Sequence, residues 1–566
     1  MNKKKRVGIL IDSENVSNQT YNFLKLSLES KNYEVTTLIV NKLKKNDSNV
    51  ILKMGSYINR LGLSKFISLA TFKIICKIES LILNCFDKTS NFYHMHHLGK
   101  TSNFYDMHKL REEDYELINV NPIVSESGFV YRYTKEDIEK IKNAKLNLII
   151  RAGSGILSGE ILTVCPNGII SFHHADNEIN RGGPPAFWEV YERNPRTGFI
   201  IQRLNEELDG GDVLYKGFIV TSWIYSLNLF KLYEVANPFL NIVIDDLTSD
   251  KSSLSLHHKY PYSYSLYTTP TLIQSIIYIV KTLSFLFKKV TRKIIRKNSR
   301  WGIAYQFVDN WKDITLWRSK KIPNPKNRYL ADPFIIYQNG EHYCFVEDYD
   351  YSIGRGCISV YKITPNSYEE LGVALLEDFH LSFPFLFKFN DELYMCPETR
   401  EKNEIRIYKC EEFPLKWSFH KTVMKNIAAV DTLILPYEKK WWLFTNIDMS
   451  SFGDMSSQLQ IFHGSDPFTD NWIPHEKNPV VFDPLKARNG GLIIDNAGIY
   501  RAYQRQGFDI YGEAVGLAKI NALTMSEYSE EVLFEIEPEF FKGIEGCHTY
   551  NFIHGLAVFD FVKIEK

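Results

Sequence analysis

The sequence predicts an α/β domain with a doubly wound sheet, followed by an all-β domain built as a five-bladed propeller. Residues 6–40 run as an apolar strand, a helix and a second strand, which is how a parallel α/β sheet begins. After about residue 299 the chain changes to short strands with hairpin turns that return every 50–60 residues. At 566 residues the chain is also too long for one hydrophobic core.

Domain boundaries follow from these changes in texture. We predict the α/β domain over residues 1–235 and the propeller over 299–566, with a linker between them over 236–298. The linker holds an aromatic, Ser-rich stretch at 257–267 and a basic amphipathic helix.

Composition narrows the function classes. The 67 basic and 67 acidic residues cancel, which argues against a nucleic-acid partner. Eight scattered cysteines without a C-x-x-C pair are typical of reduced thiols in the cytosol. The first apolar run, Val7 to Ile11, is too short for a signal peptide. We therefore expect a cytoplasmic protein.

A short duplication occupies residues 88–108, where KTSNFYHMH recurs as KTSNFYDMH. Its histidines invite a zinc hypothesis. Asp106 is the only acidic partner nearby, and no thiol is close. A duplicated surface loop is the preferred interpretation, and we predict no metal site. The histidines concerned are His94, His96, His97 and His108.

The most informative stretch is residues 168–214. An apolar strand ends at His173, a Gly/Pro-rich bend follows at 181–185, and a later strand runs into a turn that contains Asp209. A histidine at one strand end and an aspartate in a nearby turn can form a general base with its orienting carboxylate. Any α/β protein of this size offers several such pairs.

The spacing of the whole stretch is more specific. After His173 come Arg181-Gly182, Pro185, Thr197-Gly198 and Leu208-Asp209-Gly210-Gly211-Asp212, with Asp209 36 residues after His173. This pattern resembles the catalytic segment of the 10-formyltetrahydrofolate-dependent formyltransferases, which include methionyl-tRNA formyltransferase and the sugar N-formyltransferases. The resemblance implies a formyltransferase-type fold, with His173 as general base and Asp209 holding its imidazole.

Ser171 departs from that pattern, because the family carries an asparagine two residues before the histidine. The asparagine donates a hydrogen bond to the oxygen that becomes negative during transfer, and losing such a donor costs about 10²–10³ in rate. We predict that Ser171 takes this role, with Asn177 or Asn180 as substitutes.

The loop Ala152-Gly153-Ser154-Gly155-Ile156-Leu157 follows a predicted strand over 146–150. In the resembled family this loop lines the cofactor with backbone groups and small aliphatic side chains. The predicted site for 10-formyltetrahydrofolate is therefore Gly155, Ile156, Leu157, Leu208 and Asp209.

A helix predicted over 272–295 has apolar residues at helical spacing and a row of cations. Its longest uncharged run is too short to span a bilayer. Such a helix can lie on an anionic membrane or pack between domains. Peripheral contact through residues 272–297 with the inner membrane surface therefore stays open.

In a propeller the innermost strand of each blade starts at the central channel. The first strands of the five repeats begin near 332, 382, 431, 488 and 548, and residues 301–307 are expected to pair with the C-terminal strand. Convergent acids with Arg and His suggest a sugar site. The alternative is that these groups only satisfy strand ends. The predicted sugar-site residues are Asp332, Glu398, Asp431, Arg501, Gln504 and His548.

Short motifs in this half carry a second resemblance. Ala331-Asp332-Pro333-Phe334, Pro397-Glu398-Thr399, Tyr511-Gly512-Glu513 and His548-Thr549-Tyr550-Asn551 are similar to the five-bladed domain of glucosamine inositolphosphorylceramide transferases, and more remotely to five-bladed glycoside hydrolases. The resemblance implies carbohydrate binding.

Together these features predict a transferase that moves a formyl group to an amino sugar, nucleotide-linked or lipid-linked, in surface-glycan synthesis. A catalytically silent formyltransferase-like domain that serves a glycan-binding or glycosyltransferase-type propeller is the alternative. A methionyl-tRNA formyltransferase is disfavoured, because a neutral strand-repeat domain replaces the small basic domain that tRNA would require. The oligomeric state is not predicted.

Overall fold

The computed structural model describes residues 4–43, 62–87, 104–107, 115–126, 128–249, 260–295, 297–449 and 452–565. The duplication at 88–108, with His94, His96, His97 and His108, lies outside these residues apart from 104–107. The chain forms two compact units, Met1–Ser284 and Phe285–Lys566. The stretch 236–284, predicted as part of a linker, therefore belongs to the first unit.

The first unit is an α/β unit. Its helices are α1 (Asn18–Ser27), α2 (Leu63–Asp87), α3 (Lys135–Asn143), α4 (Phe187–Glu192) and α5 (Tyr225–Thr248), followed by α6 (Leu272–Ile294). Its strands are β1 (Lys5–Ile11), β2 (Asn15–Ser17), β3 (Tyr33–Asn41), β4 (Phe104–Asp106), β5 (Glu116–Val120), β6 (Ile123–Val124), β7 (Val130–Arg132), β8 (Leu148–Arg151), β9 (Ile156–Leu157), β10 (Ile169–His173), β11 (Arg196–Arg203) and β12 (Asp212–Val220).

Seven strands form the main sheet, in the order β12-β11-β10-β8-β1-β3-β5. The five strands from β10 to β5 are parallel, and β11 and β12 are antiparallel. Ile149, Ile150, Ile169 and Ile170 of the central strands are at most 1% exposed. Strands buried on both faces need such unbroken apolar runs, and their polar residues therefore come at the carboxyl ends.

Helix α6 agrees with the helix predicted over 272–295, whereas the long helix α5 lies where no helix was predicted. Helix α3 begins after Thr134, whose side chain accepts a hydrogen bond from Asp137 N and so caps the helix. No helix among the described residues is both long enough and apolar enough to cross a membrane.

The second unit contains five antiparallel sheets. Its strands are β13 (Asn298–Phe307), β14 (Lys320–Ile322), β15 (Arg328–Gln338), β16 (Glu341–Asp350), β17 (Arg355–Ile363), β18 (Tyr368–Leu375), β19 (Ser382–Phe389), β20 (Glu392–Glu398), β21 (Glu404–Glu412), β22 (Lys416–Lys425), β23 (Ala429–Tyr437), β24 (Lys440–Ile447), β25 (Gln458–Gly464), β26 (Ile473–Pro474), β27 (Val481–Phe482), β28 (Arg488–Asp495), β29 (Gly498–Gly507), β30 (Ile510–Leu523), β31 (Tyr528–Ile536), β32 (Ile544–Gly546), β33 (Tyr550–Ile553) and β34 (Leu556–Glu565).

Four sheets are made of consecutive strands, and the remaining one joins the two ends of the unit. In that sheet β13 pairs along its whole length with β34, as the sequence predicted. One strand of each sheet contacts the corresponding strand of the next sheet, and we call these five the leading strands: β15, β19, β23, β28 and β33. The contacts run in that order, and β33 contacts β15 in turn.

Candidate functional sites

The first site lies at the carboxyl end of the parallel sheet. Strand β10 ends at His173 and its neighbour β8 ends at Arg151, which lies beside Ser171 in the parallel register. Ser171 and His173 are two residues apart on one strand and so point to the same face. The carboxyl edge of an open α/β sheet is where such folds place their ligands.

His173 lies between two hydrogen-bond acceptors. Its Nδ1 is 3.3 Å from Asp209 Oδ1, and its Nε2 is 2.7 Å from the backbone oxygen of Asn180. The side chain is only 7% exposed. A carboxylate and a carbonyl can only accept, so both contacts are satisfied together only when each ring nitrogen carries a proton. The surroundings therefore offer an acceptor for a proton on either ring nitrogen.

Asp209 is held in the turn between β11 and β12. Its φ of 49° is in the left-handed region, which a non-glycine residue adopts at a cost in free energy. Its second carboxylate oxygen accepts a hydrogen bond of 3.1 Å from the backbone N–H of Gly182. This ties the turn to the Gly/Pro-rich bend and fixes the carboxylate beside His173. Leu208, half-buried, precedes it.

Ser171 is buried, and its hydroxyl is already engaged. It donates to the backbone oxygen of Phe172 at 3.1 Å and receives a hydrogen bond of 3.4 Å from Arg151 Nη1. Ser171 thus lies where the sequence predicted an oxyanion donor, with its proton directed at the chain's own backbone.

Arg151 was not predicted as a site residue. Its Nη2 donates to the carbonyl of Gly155, and its buried Nε has no partner among the described residues. Burial lowers the pKa of Arg151, while the carboxylates of Asp209 and Asp12 act in the opposite direction. The sequence signal that could have identified Arg151 is its position directly after the apolar run LNLII, residues 146–150.

The predicted cofactor loop folds against β7. Its backbone at Ser154 donates to Asp12 Oδ2 at 2.6 Å, and residues Ile156–Leu157 form the short strand β9. Gly155 has φ +80°, and a Cβ there would lie 2.7 Å from the ring of Tyr131. Only glycine fits at this position. Leu157 is buried in the core beneath the loop.

Three buried polar atoms around this site lack hydrogen-bond partners among the described residues: Arg151 Nε, Asn177 Oδ1 and Asn180 Oδ1. Buried polar atoms are normally paired. These atoms include one donor and two acceptors, so a ligand that reached them would need hydrogen-bonding groups of both kinds.

Residues 260–267, predicted as part of the linker, form one wall of the site. The ring of Tyr262 lies 4.4 Å from the Arg181 guanidinium, and Tyr267 exchanges backbone hydrogen bonds with Arg181 and Gly183. Arg181 also pairs with Glu207 at 2.5 Å. The sequence could not predict the contact between Arg181 and Tyr262, because about 80 residues separate them.

Glu189 adds an acid behind the histidine. Its Oε1 accepts a hydrogen bond of 3.3 Å from the side chain of Asn180, the residue whose backbone oxygen faces His173. Burial raises the pKa of Glu189 to about 7.

The second site is formed where the leading strands of successive sheets begin. Strands β15, β19 and β23 each shift register at this point, and the bulged residues Asp332, Phe383 and Asp431 have φ of 47°, 47° and 50°. Strand β28 shifts at the equivalent place, at Gly491. A bulge re-aims the side chain it carries, so the repeat delivers side chains to one region.

Asp332 lies in a dense acidic cluster. Its Oδ1 is 3.6 Å from His548 Nε2 and accepts from Thr549 Oγ1 at 3.0 Å. His548 Nδ1 contacts Asp560 at 2.5 Å, and the imidazole stacks on Trp301 with 3.9 Å between ring centroids. The pKa of Asp332 is raised to about 6, because burial and the charges of Asp431 and Asp560, which raise it, outweigh His548, which lowers it.

Asp431 is paired with Arg488 Nε at 2.5 Å and accepts from Gln504 Nε2 at 2.9 Å. Half-buried Glu398 is close enough for its charge to matter. The pKa of Glu398 is raised to about 8, because burial and the charges of Asp431 and Asp332 outweigh Arg488, which lowers it. The cluster therefore holds protons that isolated carboxylates would release.

Two of the six predicted sugar-site residues, Arg501 and Gln504, are fully buried against other protein groups. Arg501 is 0% exposed, and its five donors contact Glu530 and the oxygens of Lys486, Ala487 and Asn489. It has no donor left for a sugar. Gln504, also 0% exposed, orients Asp431. A spacing of three puts Arg501 and Gln504 on opposite faces of β29.

Farther along the same strands is a cavity of about 750 Å³. The leading strands of all five sheets contribute to its wall, through Phe334, Phe385, Ile434, Leu492 and Phe552 among others.

Comparisons with known proteins match the two halves of the chain separately. Residues 289–555 match the family model described as glucosamine inositolphosphorylceramide transferase 1, N-terminal. Glucosamine inositolphosphorylceramide transferase 1 of Arabidopsis thaliana is 37% identical over 220 residues, which is 38% of this chain. The chain spans only 28% of the length of that relative.

Methionyl-tRNA formyltransferase of Bacillus subtilis is 25% identical over 198 residues, 34% of this chain and 58% of the relative. Among solved structures, a family 117 glycoside hydrolase of Zobellia galactanivorans covers 46% of this chain and 90% of its own, at 10% identity and a TM-score of 0.32. The chain thus has transferase homology of two kinds, formyltransferase-like and glucosamine inositolphosphorylceramide transferase-like.

Proposed function

We propose that the first unit transfers a formyl group from 10-formyltetrahydrofolate to the primary amine of an amino sugar. The observation that carries this proposal is the contact of 3.3 Å between His173 Nδ1 and Asp209 Oδ1 at the carboxyl edge of the sheet. The sequence similarity to methionyl-tRNA formyltransferase supports the reaction class.

The cofactor supplies an activated formyl group when bound. Gly155, Ile156 and Leu157 would hold it on one side, and Leu208 and Asp209 on the other. The unpaired Arg151 Nε, Asn177 Oδ1 and Asn180 Oδ1 provide polar groups for it.

His173 moves the proton. Asp209 accepts a hydrogen bond from Nδ1, so in the neutral ring the unprotonated Nε2 is the nitrogen that takes a proton from the amine, and the Asn180 carbonyl accepts from that proton until it passes to the departing group. Removing a proton makes the amine nucleophilic, and returning it assists the departing group. Asp209 stabilises the charged imidazole between the two steps.

We propose that the second unit is a five-bladed propeller that binds the glycan. The cycle of contacts from β15 through β33 supports a closed ring, and the cavity lined by all five sheets supports a central channel. Asp332, Asp431 and Glu398, with Arg488, form the sugar-binding end. The relatives of this unit are named glucosamine inositolphosphorylceramide transferases, and this name supports an amino-sugar substrate.

The test is formyl transfer by the full chain to a panel of amino sugars, free and nucleotide-linked, followed by mass spectrometry of the product. With the wild type, the product is expected to be heavier than the amino sugar by the mass of one CO unit, because a formyl group replaces one hydrogen of the amine. His173→Gln, which keeps the size and a donor, is expected to lose about 10³-fold or more in kcat. No product with any amine would overturn the proposal.

One observation favours a second candidate, a formyltransferase-like domain without catalysis. Ser171 donates to Phe172 and Arg151 occupies the Gly155 carbonyl, so two groups of the cofactor loop and oxyanion position are already satisfied internally. This candidate predicts glycan binding by the full chain in calorimetry, with no folate binding and no turnover.

A further inference from the structure

Helix α6 carries its polar side inward and its apolar side outward. The buried positions along it are Ser275, Tyr278 and Thr282, spaced to share one face. The hydroxyls of Ser275 and Thr282 have no hydrogen-bond partner among the described residues. The orientation is the reverse of that expected for a helix on a soluble protein, whose apolar face is turned to the core.

The outward face is a continuous apolar stripe along α6. Ile273 is 71% exposed, Val280 60%, Leu283 59% and Phe287 69%. The stripe is completed by Ile276, Ile277, Val290 and Ile294, all exposed. Single exposed apolar residues are common on proteins, but a contiguous apolar surface of this kind marks an interaction site.

Helix α2, which packs on α6, shows the same pattern. Its buried face is formed by Phe72, Ile75 and Glu79, and Glu79 accepts a hydrogen bond from Tyr278 of α6. Its outer face exposes Ile74 by 59% and Ile78 by 51%. Leu63, Ile67, Leu81 and Ile82 are exposed as well. Two contacting helices therefore leave apolar rows uncovered.

The charges beside these rows have one sign. Helix α6 contains no acidic residue; of the two acids in α2, Glu79 is buried and Asp87 is the last residue of the helix. Lys289 and Arg292 of α6 pair with Asp509 and Glu545. Lys288 and Lys293 are exposed and form no ion pair with the described residues. Lys65, Lys73 and Lys77 of α2 are exposed as well.

We propose that the outer face of α6, with that of α2, docks on the surface of an anionic lipid bilayer. Large apolar side chains enter the boundary between headgroups and acyl chains, and the lysines meet the lipid phosphates and carboxylates. Charge complementarity selects this occupant over a second copy of the chain, because two copies would bring like charges together. The binding is independent of the catalytic proposal, since neither helix contributes His173 or Asp209.

The experiment is flotation of the full chain with lipid vesicles, either neutral phosphatidylcholine or phosphatidylcholine with 30 mol% phosphatidylserine, roughly the charge of an anionic leaflet. At least about tenfold more protein is expected to float with the anionic vesicles, and raising the salt should reduce this fraction, because lipid surface potentials are screened.

Two variants separate the apolar and charged parts. Leu283→Glu/Phe287→Glu should abolish flotation, whereas Ile353→Glu/Ile494→Glu, at similarly exposed sites outside both helices, should leave it unchanged. Lys288→Glu/Lys293→Glu should reduce flotation on anionic vesicles by about tenfold or more, and Lys326→Glu/Lys439→Glu is its control. Circular dichroism and melting temperature establish that each variant folds.

Other outcomes overturn the proposal. Equal flotation with neutral and anionic vesicles would show that charge plays no part. If the wild type floats with neither vesicle but forms a dimer in light scattering that Leu283→Glu/Phe287→Glu dissolves, then the occupant is a second copy. A monomer that binds neither vesicle would show that the face stays in water.

Discussion

The two units each place a histidine against an aspartate, but the second neighbour of each ring differs. His173 faces Asp209 on one side and only a backbone carbonyl on the other. His548 lies between Asp560 and Asp332; burial opposes its charge, yet the two carboxylates outweigh burial and raise the pKa of His548. His173 thus has one carboxylate beside its ring, and His548 has two. A His–Asp contact alone therefore does not define a catalytic base.

The largest effect is expected at Asp209. Asp209→Asn keeps the shape but removes the charge that stabilises the protonated ring, so kcat for formyl transfer should fall by about 10³–10⁴. Asp212→Asn, an exposed aspartate in the same turn, is the matched control. Steady-state kinetics at saturating cofactor make the measurement. A loss below tenfold would place His173 in the same structural role as His548.

The next largest expected effect is the loss of stability on replacing Arg501, whose role we expect to be structural. Arg501→Ala leaves Glu530 buried without its partner, so the second unit should lose about 3–5 kcal/mol of unfolding free energy in urea. The formyl-transfer rate at a temperature where the variant is folded should not change. Arg505→Ala, which breaks more exposed pairs, should cost less. Equal costs would mean that burial of the Arg501 pair is unimportant.

A smaller loss is expected at Arg151. Arg151→Met removes the cation beside Ser171, and kcat should fall by about 10–10². Adding Ser171→Asn to this variant should recover part of the rate, because asparagine brings its own donor. Arg132→Met, on the exposed side of β7, is the control. An unchanged kcat in Arg151→Met would remove Arg151 from the reaction.

The smallest effect concerns pH and the acidic cluster. The pKa of Glu398 is about 8, above its ordinary 4.5, so between these values the folded state holds a proton that the unfolded chain releases. Stability therefore falls as pH rises from 5 to 8, by about 1–3 kcal/mol at about 1.4 kcal/mol per unit of pKa shift. Asp332, with a pKa of about 6, acts in the same direction at lower pH.

Glu398→Gln should flatten this fall, and Glu438→Gln, at an exposed site, should not. Urea unfolding at pH 5.5, 6.5 and 7.5 measures it. A wild type that becomes more stable across this range would contradict the proton that we assign to the cluster.

The features predictable from sequence were those with local signals. The apolar strands, the spacing from His173 to Asp209 and the hairpin repeats are periodic or contiguous, and the α/β unit followed by all-β sheets agrees with them. The pairing of β13 with β34 was also predicted. Strand periodicity and turn residues carry this information directly.

The remainder depends on contacts between distant segments. Tyr262 and Tyr267 contact the Gly/Pro-rich bend at 181–185 across about 80 residues, and no pattern in either segment predicts this contact. Arg501 and Gln504 were both predicted for the sugar site, although alternation along the strand places them on opposite faces. Arg151 was missed because a cation at a strand end is common at the surface and informative only once β10 lies beside it.

The bulge shared by strands β15, β19 and β23 has a consequence for how such a protein can change. Asp332, Phe383 and Asp431 occupy equivalent backbone positions, yet one of them is a ring packed on Phe334. The backbone there tolerates either an acid or an aromatic. Replacing one of these sheets would thus change a single side chain at the bulge position and leave the neighbouring sheets in register. New binding specificities can therefore arise one sheet at a time.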